Sequence, residues 1–169
     1  MADAAGVLAV YAPSVVGSVT SFEVELPTVE AMAGRIASTV ERLPWLVFER
    51  DGAILGYAYA SPHRARAAYA WSVETSVFVD ATVHHAGVGR ALYTELLGVL
   101  ADLGYVSAYA GVTLPNPASI GLHHALGFRD VGVFEKVGFK DGAWRDVIWM
   151  RRELTDPPEH PSPPRPWRP

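Results

Sequence analysis

The sequence predicts one α/β (α+β) domain, a mixed sheet with helices on its faces, and three observations support this fold class. The chain has 169 residues, of which 50% are hydrophobic, which is enough for one core and too little for a second catalytic domain. Apolar residues recur at helical spacing in some segments and run as strands in others. These segments follow in the order α, α, β, β, β, α, β, α, β, β, which is typical of helices packed on a sheet.

The first half of the chain predicts two helices and a hairpin. Residues 3 to 12 favour a short helix. The segment "TVEAMAGRIASTVERL" predicts a longer one, because Thr28 is a candidate N-cap and its apolar residues recur at helical spacing. The segment "WLVFERDGAILGYAYAS" predicts two strands joined at Asp51-Gly52, a dipeptide that tolerates the positive φ of a tight hairpin turn.

The second half contains the one predicted parallel crossover. A strand in "YAWSVETSVFVD", a helix over residues 88 to 103 ended by Gly104, and a strand in "YVSAYAGVTL" form a strand–helix–strand unit. A turn at "PNP", a short helix in "SIGLHHALG" and two closing strands around "KDGAW" complete the domain, which we assign to residues 1–154. Residues 155–169 hold seven of the thirteen prolines and predict an extended tail, for which a disordered end is favoured over a docked arm.

Composition excludes several classes of function. The net charge of -4 leaves no basic stripe for nucleic acid. The absence of cysteine excludes disulfides, thiolate metal sites and a cysteine nucleophile. The N-terminus carries Asp3 and no basic residue before a short apolar stretch, and no apolar run reaches the length of a membrane span. We therefore expect a cytoplasmic protein without membrane, nucleic-acid or metal partners.

A turn with two glycines, Gly87 and Gly89 in "HHAGVGRAL", lies between the third strand and the long helix. Glycines let backbone N–H groups converge on a ligand, and the helix N-terminus adds its positive dipole end, so a phosphate suits this turn. A plain strand-to-helix turn is the alternative. A dinucleotide-binding fingerprint fits poorly because Leu92 stands at the third glycine position, and no Gly-Lys-Ser/Thr follows as a P-loop requires.

The strand 73 to 79, the turn "HHAGVGRA" and the segment "LPNPASIGLHHALGF" together resemble the GNAT acyltransferase superfamily. Its signature Gln/Arg-x-x-Gly-x-Gly/Ala receives the pyrophosphate of acetyl-CoA, and His84 stands here at the Gln/Arg position. The segments "PWLVFERDGAILGYAYASPHRARAAYAWSVETSVFV" and "GFKDGAWRDVIWMRRELTDPP" are similar to the phosphinothricin and methionine sulfoximine or sulfone N-acetyltransferases, over residues 3 to 154.

This resemblance implies a GNAT fold with a central mixed, mostly antiparallel twisted sheet, acetyl-CoA as co-substrate, and a homodimer. Family members open with a β-strand before the first helix. This chain begins at the helix, so we expect the sheet to lack that edge strand, or the start codon to be misplaced.

Glu74 is the candidate general base. Acetyl transfer to an amine needs the amine deprotonated, the oxyanion stabilised and the leaving thiolate protonated. Glu74 is the only charged residue between Trp71 and Val79, on the strand face of Ser72 and Ser76, and the resemblance puts the family's catalytic glutamate there. Without the resemblance, a solvated or salt-paired strand carboxylate is the favoured interpretation.

Two residues compete as the acid that protonates the thiolate. His123 lies where the superfamily often carries a tyrosine near the coenzyme sulfur, and imidazole holds and releases protons near neutral pH; a purely structural helical histidine is the alternative. Tyr93, on the long helix, is the rival donor. His124 points elsewhere around the helix and is expected at the surface. Asn116 either orients the pantetheine arm or caps the following helix.

The resemblance implies further contacts to the coenzyme and the acceptor. Val77 is the candidate oxyanion donor through its backbone N–H. The implied coenzyme-binding residues are Val77, Phe78, Val79, His84, His85, Ala86, Gly87, Val88, Gly89, Arg90, Asn116 and Ser119. We expect Arg64 and Arg66 to share a face of an extended segment and to bind the substrate carboxylate, with Phe22 and Tyr69 as walls; two solvent-facing arginines are the alternative. Trp144 is expected to close the pocket across the dimer interface.

These expectations predict an N-acetyltransferase that acts on the α-amine of a small amino-acid analogue such as phosphinothricin, methionine sulfoximine or methionine sulfone, by direct attack in a ternary complex. The alternatives are acetylation of a protein N-terminus or another amine, and a non-catalytic acyl-CoA-binding module.

Overall fold

The computed structural model describes residues 3–168 and shows the predicted elements in the predicted order. The helices and strands are α1 Ala4–Val15, α2 Val29–Val40, β1 Trp45–Arg50, β2 Ala53–Pro62, β3 Ser72–Val79, α3 Val88–Leu103, β4 Ser107–Thr113, α4 Pro117–Ala125, β5 Arg129–Lys140 and β6 Ala143–Glu153. Short 3₁₀ turns at Ala67–Tyr69 and Ala81–Val83 flank β3. Within the described residues, no helix is long and apolar enough to cross a membrane.

Local sequence signals end the elements where expected. The Thr28 hydroxyl accepts a hydrogen bond from the Ala31 N–H at 3.1 Å and caps α2. Asp51 and Gly52 adopt φ of 52° and 77° at the β1–β2 turn, and Gly104 ends α3 at φ 95°. Each of these glycines occupies the left-handed region that a side chain disfavours.

The six strands form one mixed sheet in the order β1-β2-β3-β4-β6-β5. Neighbours are antiparallel, except β3 and β4, which are parallel and are connected through α3. The predicted crossover and the mostly antiparallel sheet are therefore confirmed. No strand precedes α1 within residues 3–168, and β1 forms one edge of the sheet.

Each face of the sheet buries its own core. On one face, Leu92, Leu96 and Leu100 of α3 pack with Val73 of β3 and Met150 of β6. On the other face, α1 and α2 cover β2 through a cluster that includes Val7, Tyr11, Met32 and Tyr57. Since side chains alternate along a strand, β3 directs Val73 and Thr75 towards α3, and Ser72, Glu74 and Ser76 towards the opposite face.

The proline-rich tail is docked on the domain, in contrast to the disordered end that its composition favoured. Residues 155–168 contain no helix or strand. The Trp71 indole N–H donates to the Ser162 carbonyl at 2.8 Å, and the Trp167 N–H donates to the Arg42 carbonyl at 2.9 Å. The Arg165 N–H donates at 2.8 Å to the carbonyl of Leu103, one of the C-terminal carbonyls that α3 itself leaves unpaired. The tail thus joins α3, the α2–β1 connection and the residue before β3.

Candidate active site

A gap opens between the two parallel strands. Their pairing stops at Glu74–Tyr109, although β3 continues to Val79 and β4 to Thr113. Successive strand residues direct their backbone groups to opposite sides. The Asp80 N–H donates to Leu55 of β2, whereas the carbonyl of Val79 is 3.1 Å from His84 Nε2. Alternation therefore directs the backbone groups of Thr75, Val77 and Val79 away from β2 and into the gap, so the Val77 N–H is placed to bind an oxygen there.

The glycine turn lies at the open end of this gap. Gly87 is the N-cap of α3 at φ 81°, and His85 precedes it at φ 63°. The first intrahelical bond runs from the Ala91 N–H to the Gly87 carbonyl. The N–H groups of Val88, Gly89 and Arg90 are therefore left without intrahelical partners, and no acidic residue lies in this first turn. Exposed N–H groups at a helix N-terminus suit a phosphate.

Two of the implied coenzyme contacts are not supported by this geometry. The Ala86 N–H already donates to the Val83 carbonyl at 3.2 Å, so Ala86 is not a free donor. The Phe78 ring packs against Tyr11 and Tyr57, with centroids 5.1 and 5.2 Å away, on the face opposite α3. Its backbone belongs to the side of β3 that pairs with β2.

The other residues of the turn have distinct positions. His84 donates from Nε2 to the Val79 carbonyl and so ties the turn to the end of β3. A Cβ on Gly89 would lie in ordinary contact, at 3.4 Å, with side-chain carbons of Leu122 and Val79. The turn thus lies against α4 and β3 and presents the backbone donors that an anion needs.

Glu74 lines a cavity of about 410 Å³ on the α1–α2 face of the sheet. Its side chain is 30% exposed, and its Oε1 accepts hydrogen bonds from Arg64 Nη1 at 3.2 Å and from His63 Nδ1 at 3.1 Å. The salt-paired carboxylate and the candidate base are therefore the same residue. The cavity is lined by Thr20, Phe22, Glu74, Thr75, Ser76, Gly111, Thr113, Phe134, Val137, Val147 and Trp149.

The two arginines do not share a face as expected. Residues 63–66 form bends that lead into the 3₁₀ turn Ala67–Tyr69, so the segment is not extended. Arg64 bonds Glu74, whereas Arg66 is exposed and forms no side-chain hydrogen bond or ion pair within residues 3–168. Tyr69 is 42% exposed and meets the edge of His63 at 5.8 Å rather than the cavity wall.

His63 is a site residue that the sequence reasoning missed. Its ring stacks on Tyr109 at 4.4 Å and contacts Trp149 edge-on at 6.2 Å. The signal that would have found it is the antiparallel pairing of β2 with β3. This register places Ser61 opposite Glu74, so the residues at the end of β2 lie beside the carboxylate.

Phe22, an expected wall, is fixed against β5. A Cβ on Gly138 would lie 2.3 Å from Phe22 Cε2, so only glycine allows this contact. Pairing of β5 with β6 jumps from Phe134–Val147 to Gly138–Arg145. Such bulges redirect side chains, and Phe134 at the start of this one and Val137 within it both line the cavity.

Lys140 holds the segment that carries Phe22, and the sequence reasoning missed this role as well. The side chain is buried, and Nζ donates to the carbonyls of Val15 and Ser21, each at 2.8 Å. Val15 ends α1, so the ammonium also lies at the negative end of that helix. The lysine thereby joins β5 to the α1–α2 connection at the cavity mouth.

Tyr93 and His123 form a buried pair on the opposite face of β3. They are 1% and 3% exposed. His123 Nδ1 lies 2.7 Å from the Ser119 carbonyl, which only accepts, so Nδ1 carries a proton. The Tyr93 hydroxyl has one proton and two acceptors, the Thr75 carbonyl at 3.2 Å and His123 Nε2 at 3.1 Å. Burial lowers the pKa of His123 and raises the pKa of Tyr93, so both are held neutral.

The remaining predicted residues have structural contacts. Asn116 Oδ1 accepts from the Ser119 N–H at 3.1 Å and caps α4, which confirms the capping interpretation. His124 is at the surface, as expected, 2.8 Å from Asp130. Trp144 is 62% exposed and packs against Phe139 outside the cavity. Among residues 3–168 no group of three or more potential metal ligands occurs.

Comparison with known proteins identifies the family. Residues 1–149 match the model of the acetyltransferase (GNAT) domain. The chain is 38% identical to phosphinothricin N-acetyltransferase of Streptomyces viridochromogenes, over 99% of this chain and 90% of that protein. It is 36% identical to L-methionine sulfoximine/L-methionine sulfone acetyltransferase of Salmonella typhimurium, over 71% of this chain and 68% of that protein.

A solved structure agrees with these sequence matches. The phosphinothricin acetyltransferase of Sinorhizobium meliloti, determined in complex with acetyl-CoA, superposes with a TM-score of 0.88 at 36% identity. The match covers 96% of this chain and 91% of that one. The family match, the shared fold and the glycine turn beside diverging parallel strands agree, and the chain belongs to the GNAT family of acetyl-CoA-dependent acetyltransferases.

Proposed function

We propose that this enzyme transfers the acetyl group of acetyl-CoA to the α-amine of a small amino-acid analogue of the phosphinothricin, methionine sulfoximine or methionine sulfone type. The observation that carries the proposal is the Glu74 carboxylate in a cavity of about 410 Å³ beside the β3–β4 gap. A cavity of this size suits a small molecule. The names of the related enzymes supply the acceptor class.

The residues present fit the coenzyme. Acetyl-CoA supplies an activated acetyl thioester. The unpaired N–H groups of Val88, Gly89 and Arg90 would hold its pyrophosphate, with Gly87 and His85 shaping the turn and His84 fixing it to β3. Val79, Asn116 and Ser119 remain proposed neighbours of the coenzyme, since they border the gap or begin α4.

Glu74 would act as the base. An α-ammonium group has a pKa near ~8 and is mostly protonated at neutral pH, so a carboxylate at the cavity wall has a proton to accept. Two donors occupy its Oε1, which leaves Oε2 for the acceptor amine. The Val77 N–H would donate to the oxygen that becomes negative as the amine attacks.

Tyr93 would donate the proton on the other face, with His123 acting through it. The Tyr93 hydroxyl reaches the Thr75 carbonyl, which faces the gap. His123 presents Nε2 to that hydroxyl and Nδ1 to the Ser119 carbonyl, so neither ring nitrogen is left for a ligand. This arrangement favours Tyr93 as the residue in contact with the coenzyme sulfur, and His123 as the hydrogen-bond partner of the Tyr93 hydroxyl.

Arg64, which donates to Glu74 at 3.2 Å, would also bind the acceptor carboxylate. We also propose a homodimer, supported by exposed apolar side chains on the β5–β6 hairpin, including Val131 at 60%, Phe139 at 59% and Trp144 at 62% exposed. Several exposed apolar side chains on one hairpin suit a partner surface.

A cytoplasmic location belongs to the same proposal, because a chain without cysteine suits a reducing compartment.

The test is a thiol-release assay with acetyl-CoA and a panel of amines. We expect phosphinothricin, methionine sulfoximine or methionine sulfone to be acetylated with a kcat/KM at least about 100-fold above that of peptides with a free N-terminus, a difference of about 2.7 kcal/mol in transition-state binding. Preferred acetylation of the peptides would instead establish a protein acceptor. Binding of acetyl-CoA without transfer to any amine would establish a non-catalytic module.

A further inference from the structure

His63 is joined to Glu74 more closely than packing requires. Its Nδ1 lies 3.1 Å from Glu74 Oε1, and its side chain is 13% exposed. The ring lies nearly parallel to Tyr109, at 9° and 4.4 Å, while Tyr69 and Trp149 meet it edge-on. Aromatic contacts on three sides fix the plane of the imidazole and therefore the direction of its Nδ1–H bond.

The protonation state of His63 follows from its partner. An ionised carboxylate accepts hydrogen bonds and cannot donate, so Nδ1 carries the proton. In the neutral ring Nε2 is then unprotonated, and it forms no hydrogen bond within residues 3–168. Arg64 Nη1 donates to the same carboxylate oxygen at 3.2 Å. One oxygen of Glu74 thus has two donors, and the other is left for the acceptor.

We propose that His63 is a positioning residue that orients Glu74 for proton acceptance. The inference rests on the proposed function, in which Glu74 is the base. Fixing one carboxylate oxygen restricts rotation of the group and directs the second oxygen into the cavity. Catalysis is sensitive to such orientation.

Two substitutions separate the hydrogen bond from the packing. His63→Phe keeps a ring on Tyr109 and removes the donor, whereas His63→Asn keeps an N–H donor and loses the ring. We expect His63→Phe to lower kcat/KM for the acceptor about tenfold, with the KM for acetyl-CoA changed less than about twofold, and His63→Asn to recover part of the loss. The control is His160→Phe in the exposed tail, which should leave both constants unchanged.

A double mutant distinguishes orientation from general stability. In a Glu74→Gln background, His63→Phe should cause little further loss, since groups that act as a unit are not additive. Melting temperatures confirm folding, and His63→Asn carries the test if the Phe variant does not fold.

The outcomes that overturn the inference differ from those that overturn the function. If His63→Phe matches the wild type while Glu74→Gln is inactive, the role of His63 is refuted and the base assignment stands. If the two losses add fully and His63→Asn recovers nothing, the histidine is only structural and the inference is also refuted. If Glu74→Gln itself is active, the assignment of Glu74 as the base is refuted, and the inference about His63 is refuted with it.

Discussion

Adjacent residues of β3 serve two sites with opposite physical character. On one face, Glu74 lies at a cavity wall, 30% exposed, with a guanidinium and an imidazole on one oxygen. On the other face, the Thr75 carbonyl meets the Tyr93 hydroxyl, which pairs with His123 in a core where both side chains are almost fully buried. The first site is charged and partly exposed, and the second is neutral because burial disfavours ions.

In the proposed mechanism, this one strand separates a proton acceptor from a proton donor. The two groups lie on opposite faces of the sheet, and the gap beyond Glu74–Tyr109 is the opening between them. A partly exposed carboxylate can accept a proton, whereas burial raises the pKa of the Tyr93 phenol. In the proposed mechanism, the end of strand pairing therefore separates the two chemical roles.

Removal of the Glu74 carboxylate should have the largest effect on activity. Glu74→Gln preserves shape and hydrogen-bonding capacity but cannot accept a proton, so kcat/KM for the acceptor should fall at least about 100-fold. The KM for acetyl-CoA should change little, because the glycine turn is intact. Steady-state kinetics with both substrates varied would measure this. A variant within about threefold of wild type, or ~0.7 kcal/mol, would show that Glu74 takes no part in the chemistry.

Loss of the buried hydroxyl should have a smaller effect. Tyr93→Phe removes one oxygen, and we expect kcat to fall about tenfold, since water entering the gap replaces the donor in part. The activity of the wild type should not decline in base through Tyr93, because burial raises the pKa of that hydroxyl. Tyr105→Phe is the matched control, since Tyr105 lies outside the site. Equal kcat values for the two variants would contradict a catalytic hydroxyl at position 93.

Loss of the neutral, buried His123 should have the smallest of the three effects, and it should appear in the pH dependence of stability. Burial lowers the pKa of folded His123 below its unfolded value. As the pH falls, the unfolded chain therefore binds this proton first. The stability contribution is complete above about pH 6.5 and is lost as the pH falls towards the folded pKa. The melting temperature of His123→Gln should fall about 2 °C less than that of the wild type between pH 7 and pH 5, as calorimetry would show. An identical fall in both proteins would contradict a neutral buried His123.

Sequence periodicity predicted the elements and the two faces of β3 because those signals are local. Strand alternation placed Glu74 with Ser76 on one face, and both line the cavity. Asp51-Gly52 and Gly104 ended their elements through their own backbone preferences. The glycine turn was predicted for the same reason, since a positive φ at Gly87 depends on that residue itself.

Contacts distant in sequence were not predictable in this way. Arg64 was expected to face a ligand, but it bonds a carboxylate ten residues away. The Lys140 ammonium donates to carbonyls of residues more than one hundred positions earlier, and no local sequence pattern predicts these hydrogen bonds. His63 was missed because its role depends on β-strand register, and Phe78 was assigned to the coenzyme although its side chain belongs to the opposite face of β3.

The bond between Trp71 and Ser162 also bears on the order in which the protein is completed. The two residues are 91 positions apart, and a ribosome adds on the order of 5–20 residues per second. The Trp71 indole therefore has no such acceptor for several seconds, because Ser162 is synthesised only after all six strands. Until then Trp71, which directly precedes β3, lacks this hydrogen bond, so all six strands can be synthesised before the tail and the sheet are joined at this point.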